Sequence, residues 1–149
     1  MTATAHSLVG ASIGKLCPTP VLAIPLAILS NLLMDLIPHW DTGTGWRKRP
    51  RIITFFATGF DVILGLFLSF LVFGKTTDSL YLISLILAAT LPDYLEAPYL
   101  FLGWDFLPFS WFYRFQSKFH ARDGTFWGIV TQIAIVSPIV YLASQAQGL

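Results

Sequence analysis

Six residues whose side chains bind divalent metals stand inside or beside long apolar stretches: His6, Asp35, His39, Asp61, Asp93 and His120. A charge in hydrocarbon costs at least ~2.5–3.5 kcal/mol on insertion scales, so such a residue is paired, solvated or functional. Asp61 is the only charge in residues 52–74. Asp35 and His39 are four apart, a spacing that puts two ligands on one helix face. Asp93 precedes Glu96 by three, so both carboxylates share a face. Three aspartates close together cannot all be ionised without a cation between them. A divalent ion relieves that repulsion, and Asp with His is a ligand set for zinc first and manganese second. Such an ion makes water more acidic, and Glu96 or Asp35 would take the proton. Asn31, one turn before Asp35, would orient a ligand. Asp41 reads as a loop or cap residue.

The rest of the chain says what solvent these residues meet. Of its 149 residues 55% are hydrophobic and 11% charged, where a soluble domain is about a quarter charged. So thin a charged shell argues against a soluble globule, a disordered chain and a nucleic-acid binder. The formal net charge of +1 provides no bulk attraction for nucleic acid. One cysteine, Cys17, excludes an intrachain disulfide and a Cys-rich zinc site. No basic residue precedes Lys15, so a cleaved signal peptide is not expected. Length and pattern fit a single integral membrane domain over residues 1–149.

Four stretches approach or exceed the ~20 residues of a spanning helix: 16–34 (apolar body 21–37), 52–74, 79–102 and 124–149. Thr19-Pro20 is expected to open the first, with a hydroxyl cap and proline in the first turn. Asp123 is expected to cap the fourth. Residues 4–16 form a helix of about 20 Å, too short to span. Its Gly10-x-x-x-Gly14 face suits close packing, so it should lie half-buried in the bundle. Thirteen of the 23 aromatic residues fall between Tyr94 and Trp127, a density that fits the headgroup region. Residues 106–119 therefore read as a membrane-surface segment, with Arg114 and Lys118 on one helical face. The expected fold is an all-α membrane bundle: four transmembrane helices, a short packed N-terminal helix and an interfacial aromatic segment.

Loops 40–51 and 103–123 hold seven of the nine basic residues. The positive-inside rule makes them cytoplasmic in a multi-pass protein of the inner (plasma) membrane. Counted from the outer turns at 1.5 Å per residue, His6, Asp35, Asp61 and Asp93 all lie roughly 18–23 Å deep. Four helices thus bring ligand-type side chains to one level. His39 lies a turn beyond Asp35, and His120 precedes the last span.

No Gly-rich phosphate loop, Cys-x-x-Cys, Gly-x-Ser-x-Gly or His-Glu-x-x-His occurs. Four elements carry a family likeness: Ala5-His6-Ser7-Leu8-Val9-Gly10, the run from Leu33 through Asp35 and His39 to Asp41, Leu91-Pro92-Asp93, and His120-Ala121-Arg122-Asp123-Gly124. In these the chain resembles the membrane-bound predicted metal-dependent hydrolases of bacteria and archaea. The family's usual Pro-Asp-x-Asp and His-Arg-Gly-x-Thr-His-Ser elements are present in reduced form. The resemblance implies a hydrolase with a divalent metal held by the His and Asp residues above. A site at the inner leaflet border suits a lipid or lipid-linked ester or phosphoester, with membrane lipids as partners. The alternative is a non-enzymatic scaffold or transport component whose buried acids form a polar network or proton relay. A third option is a membrane-remodelling factor acting through the aromatic surface.

Overall fold

The computed structural model, described over residues 1–146, is all-helical. Its elements are α1 (Ala3–Leu16), α2 (Pro20–Asp35), α3 (Arg51–Phe73), α4 (Ser79–Ala97), α5 (Phe109–Gln116) and α6 (Phe126–Gln145). A 3-10 turn over Trp46–Lys48 precedes α3, and a π-helical turn over Pro98–Leu102 prolongs α4. Among the described residues three helices are long and apolar enough to cross a membrane: α3, α4 with its π turn, and α6. The 16-residue α2 is apolar but shorter. Residues 147–149, the end of the expected fourth span, lie outside the described residues.

The short N-terminal helix is the axis of the bundle. α1 packs against α2, α3, α4 and α6, so it is more buried than the half-buried packing expected from its sequence. Small residues allow this. A Cβ on Gly10 would stand 2.6 Å from the Ala89 side chain and 2.7 Å from the Leu85 carbonyl of α4. A Cβ on Gly65 of α3 would stand 2.7 Å from Ser7 Oγ. Backbones approach that closely only where side chains are absent or minimal. Thr2 caps the helix by accepting from the Ala5 N–H at 3.2 Å. At its other end the Tyr81 hydroxyl of α4 donates to the Cys17 carbonyl at 2.5 Å and ties down the turn into α2.

α3 is inside out relative to a helix of a soluble protein. Its buried residues are Thr54, Asp61, Gly65, Ser69 and Phe73, while Phe56, Phe60, Ile63, Phe67 and Leu71 are exposed. Both sets follow helical spacing. Phe73 apart, polar and small groups face the protein and large apolar ones face outward, as expected where the solvent is lipid. α2 likewise exposes Val21, Leu22, Leu26, Leu29 and Leu33, and α6 exposes Phe126, Ile133, Tyr141 and Leu142.

Two expected caps differ. Pro20 opens α2, but the Thr19 side chain makes no capping bond. α6 begins two residues later than expected: Thr125 is its cap, accepting from Trp127 N–H at 3.2 Å. Asp123 instead accepts from the Thr125 N–H at 2.9 Å, and the Thr125 side chain first and this N–H second hold its exposed carboxyl below the ordinary value. The aromatic segment forms α5, with Trp111 and Phe115 stacked at 5.3 Å. Lys118 falls beyond the end of α5, and Arg114 pairs with Asp105 at 3.0 Å on the exposed side.

Candidate metal centre

Asp35 ends α2 and is fully buried. Three histidines from three parts of the chain turn Nε2 toward its carboxylate. His6, from the first turns of α1, stands 3.3 Å from Oδ1. His39, from the loop after α2, stands 3.6 Å from the same oxygen. His120, from the loop before α6, stands 2.7 Å from Oδ2. The Met1 amino group also meets Oδ1. Asp93, on α4, brings Oδ2 to 4.0 Å from His6 Nε2. Two overlapping groups of possible metal ligands result: Asp35, His39 and His120, and His6, Asp35 and Asp93.

Pro38 does break the helix, yet His39 still faces Asp35, because two loops are zipped together beneath it. The His39 N–H donates to the Ala121 carbonyl at 3.1 Å, and the Asp123 N–H donates to the His39 carbonyl at 2.7 Å. The Ala121 N–H donates to the Asp35 carbonyl at 2.9 Å. This short parallel bridge sets His120 and His39 side by side, with ring centroids 5.5 Å apart.

The His39 ring has a fixed orientation with a chemical consequence. Its Nδ1 lies 2.7 Å from the Ile37 carbonyl. A carbonyl only accepts, so Nδ1 carries the proton. A neutral His39 then presents a lone pair at Nε2, which faces Asp35 at 3.6 Å and Asp41 at 3.7 Å. Acceptors facing acceptors repel unless a proton or a metal cation lies between them. An Nδ1–H held by a backbone carbonyl is also the usual support of a metal-binding histidine. Among the described residues, neither His39 Nε2 nor either ring nitrogen of His6 has a hydrogen-bond partner, although both residues are almost wholly buried.

An amide clamp holds the carboxylates. Asn31 donates to Asp93 Oδ2 at 3.2 Å and to the Ala89 carbonyl at 2.9 Å, joining α2 to α4. The role expected for Asn31, orienting a ligand, matches this geometry. Gln116, at the end of α5, is fully buried and was not singled out from the sequence. Its amide nitrogen lies 3.1 Å from Asp93 Oδ1, 3.3 Å from Asp35 Oδ2 and 3.3 Å from Asn31 Oδ1. A signal did exist: the buried residues of α5 are Ser110, Tyr113 and Gln116, three apart, so its less apolar face turns inward.

Asp41 is more than a loop residue. It is buried and accepts from Arg122 Nε at 2.8 Å. Burial works against its ionisation, but the Arg122 guanidinium helps to outweigh burial and to hold the carboxyl well below the usual carboxylate range. Burial likewise works against the Arg122 charge, and Asp41 overcomes it and holds the guanidinium above its ordinary value.

Two of the expected site residues stand apart from the cluster. Asp61 reaches the right level, but its carboxylate is committed to the start of α1. Oδ2 accepts from the Ala3 N–H at 2.6 Å, and Oδ1 accepts from the Thr4 N–H at 3.1 Å and the Thr4 hydroxyl at 2.7 Å. It is a capping acid delivered from another helix, favoured by the positive end of the α1 dipole. The Asp61→Ala variant should lose about 1–3 kcal/mol of stability through those orphaned donors and match the wild-type protein in metal content per folded chain. Thermal unfolding in detergent with parallel metal analysis checks both; loss of the metal with unchanged stability would return Asp61 to the ligand set. Glu96 also belongs to neither donor group. It is buried, and its Oε1 has no partner.

Glu96 and the cluster meet at a cavity of about 100 Å³. Asp93, Glu96 and His120 line it together with apolar Val62, Leu100 and Phe101 and the cations Arg51 and Arg122. The cavity therefore combines a carboxylate outside the metal-type cluster, an apolar wall and two guanidinium groups. No family model, curated protein or solved structure matches the chain.

Proposed function

We propose that this chain is a membrane-bound metal-dependent hydrolase, in line with its resemblance to the predicted family of that kind. Its substrate is a lipid or lipid-linked ester or phosphoester reached from the cytoplasmic leaflet. The observation that carries this reading is the convergence of three buried histidine Nε2 atoms on the Asp35 carboxylate, within 2.7–3.6 Å. Donors bonded to one zinc at ~2.0–2.2 Å lie about 3–4 Å apart; the His6 and His39 spacings are of that size, and His120 at 2.7 Å stands at hydrogen-bond distance. In this reading α2 is a fourth span, because its outward face is as apolar as those of the three long helices. The basic loops 40–51 and 103–123 then face the cytoplasm.

A divalent ion, zinc first and manganese second, would supply Lewis acidity and make water a nucleophile at neutral pH. The chain's own residues do the rest. Asp35, His6, His39, Asp93 and His120 are the ligands, and the amides of Asn31 and Gln116 fix the carboxylates. Glu96, three residues from Asp93 and in the same cavity, takes the proton from the attacking water. Arg122 and Arg51 attract an anionic headgroup, while Val62, Leu100 and Phe101 accept the start of an apolar chain.

The test is hydrolysis in detergent micelles, with release of phosphate from a short-chain phosphatidate and of acid from a short-chain glyceride. Activity on either that is lost with a chelator and restored by zinc or manganese supports the proposal. Activity on either that is indifferent to chelation, or none on either by the metal-loaded protein, counts against it.

A further inference from the structure

The donors around Asp35 fall into two sets of three, and only Asp35 belongs to both. One set is Asp35, His39 and His120. The other is His6, Asp35 and Asp93. Within each set the donor atoms lie within 4.8 Å of one another. The five side chains thus do not gather at one point. Asp35 offers both oxygens to these histidines: His120 stands at Oδ2, while His6 and His39 stand at Oδ1. His6 and His39 come from opposite ends of the chain's first 40 residues, and each aims a partnerless, buried Nε2 at the carboxylate.

We propose that the centre holds two divalent ions, zinc or manganese, bridged by the carboxylate of Asp35. This deepens the metal-hydrolase reading and rests on it. Each ion has three protein donors, the number that leaves a position for water or substrate in catalytic sites. Ions sharing a carboxylate stand about 3.5–4 Å apart and clamp the attacking and leaving oxygens of an in-line displacement. Charge agrees with this. Arg122 neutralises Asp41 and the Met1 amino group adds positive charge at Asp35, which leaves Asp35 and Asp93 as the ligand acids facing the ions. Two carboxylates balance one divalent ion. A second ion leaves an excess of positive charge, which a phosphoester and hydroxide would neutralise and a neutral carboxylic ester would not. The substrate class is therefore a phosphoester on an apolar chain.

The test is metal loading of stripped, full-length protein in detergent. Zinc is counted by mass spectrometry, and manganese is followed by electron paramagnetic resonance. Two ions per chain are expected, and at full manganese loading the six-line signal of isolated ions should give way to that of an exchange-coupled pair. His6→Ala and His39→Ala should each retain one ion with the uncoupled signal. One ion in the wild-type protein, or two uncoupled ions, would overturn the bridged pair and leave the hydrolase reading standing. Two ions retained by His6→Ala would also overturn it, and no ion at all would remove both readings. The wild-type measurements decide the matter even if a variant fails to fold.

Discussion

Asp35→Asn should strip the purified protein of stoichiometric metal and abolish hydrolysis. Asp35 is the one carboxylate common to both donor groups, and asparagine keeps its shape while removing the charge. Losing an outer-shell partner of a ligand costs about 10–100-fold in metal affinity, so losing the shared ligand should cost more than about 100-fold. The same change leaves the Met1 amino group and His120 beside a neutral amide. Removing one member of a buried ion pair costs about 3–5 kcal/mol, so the melting temperature should fall as well. Metal content per folded chain, measured after size-exclusion chromatography in detergent, separates the two effects. A folded Asp35→Asn protein with wild-type metal content would refute its role as a ligand.

The second large effect is at Glu96, and its signature is the opposite. Glu96→Gln should lower the rate by about 100- to 10,000-fold, the range for a general acid or base, and leave the metal in place. Glu96 lines the cavity but belongs to neither donor group. Its Oε1 is buried without a partner, an arrangement that costs stability when the group is charged. A neutral amide should therefore leave the melting temperature unchanged or raise it. A stable protein that holds metal and does not turn over is the outcome expected. Full activity in Glu96→Gln would remove it from the mechanism.

The sequence displayed the helices more plainly than the site. Lipid as solvent turns each span into an uninterrupted apolar run, so α3, and α4 taken with its π turn, lie within a residue or two of the expected 52–74 and 79–102. Depth along the helices was legible too, because helical rise is constant: His6, Asp35 and Asp93 do meet. Depth does not say what a side chain faces. The first turn of α1 lies at the same level as the cluster, and its unsatisfied N–H groups claim Asp61. Hydropathy alone could not reveal that competition, since α1 is too short to announce itself as the axis of the bundle. The positions of Asp41 and Gln116 depend on tertiary contacts. Asp41 is held by a loop pairing between residues 39 and 122, and Gln116 by the docking of α5 on α4. Neither contact leaves a periodic trace across so wide a separation in sequence.

X-ray absorption at the zinc edge of the wild-type, zinc-loaded protein reads directly whether His6, His39 and His120 bind a metal. Nitrogen and oxygen neighbours at ~2.0–2.2 Å are expected, together with the outer-shell scattering of imidazole rings. A protein that binds no zinc, or whose bound zinc shows no imidazole scattering, would contradict that binding.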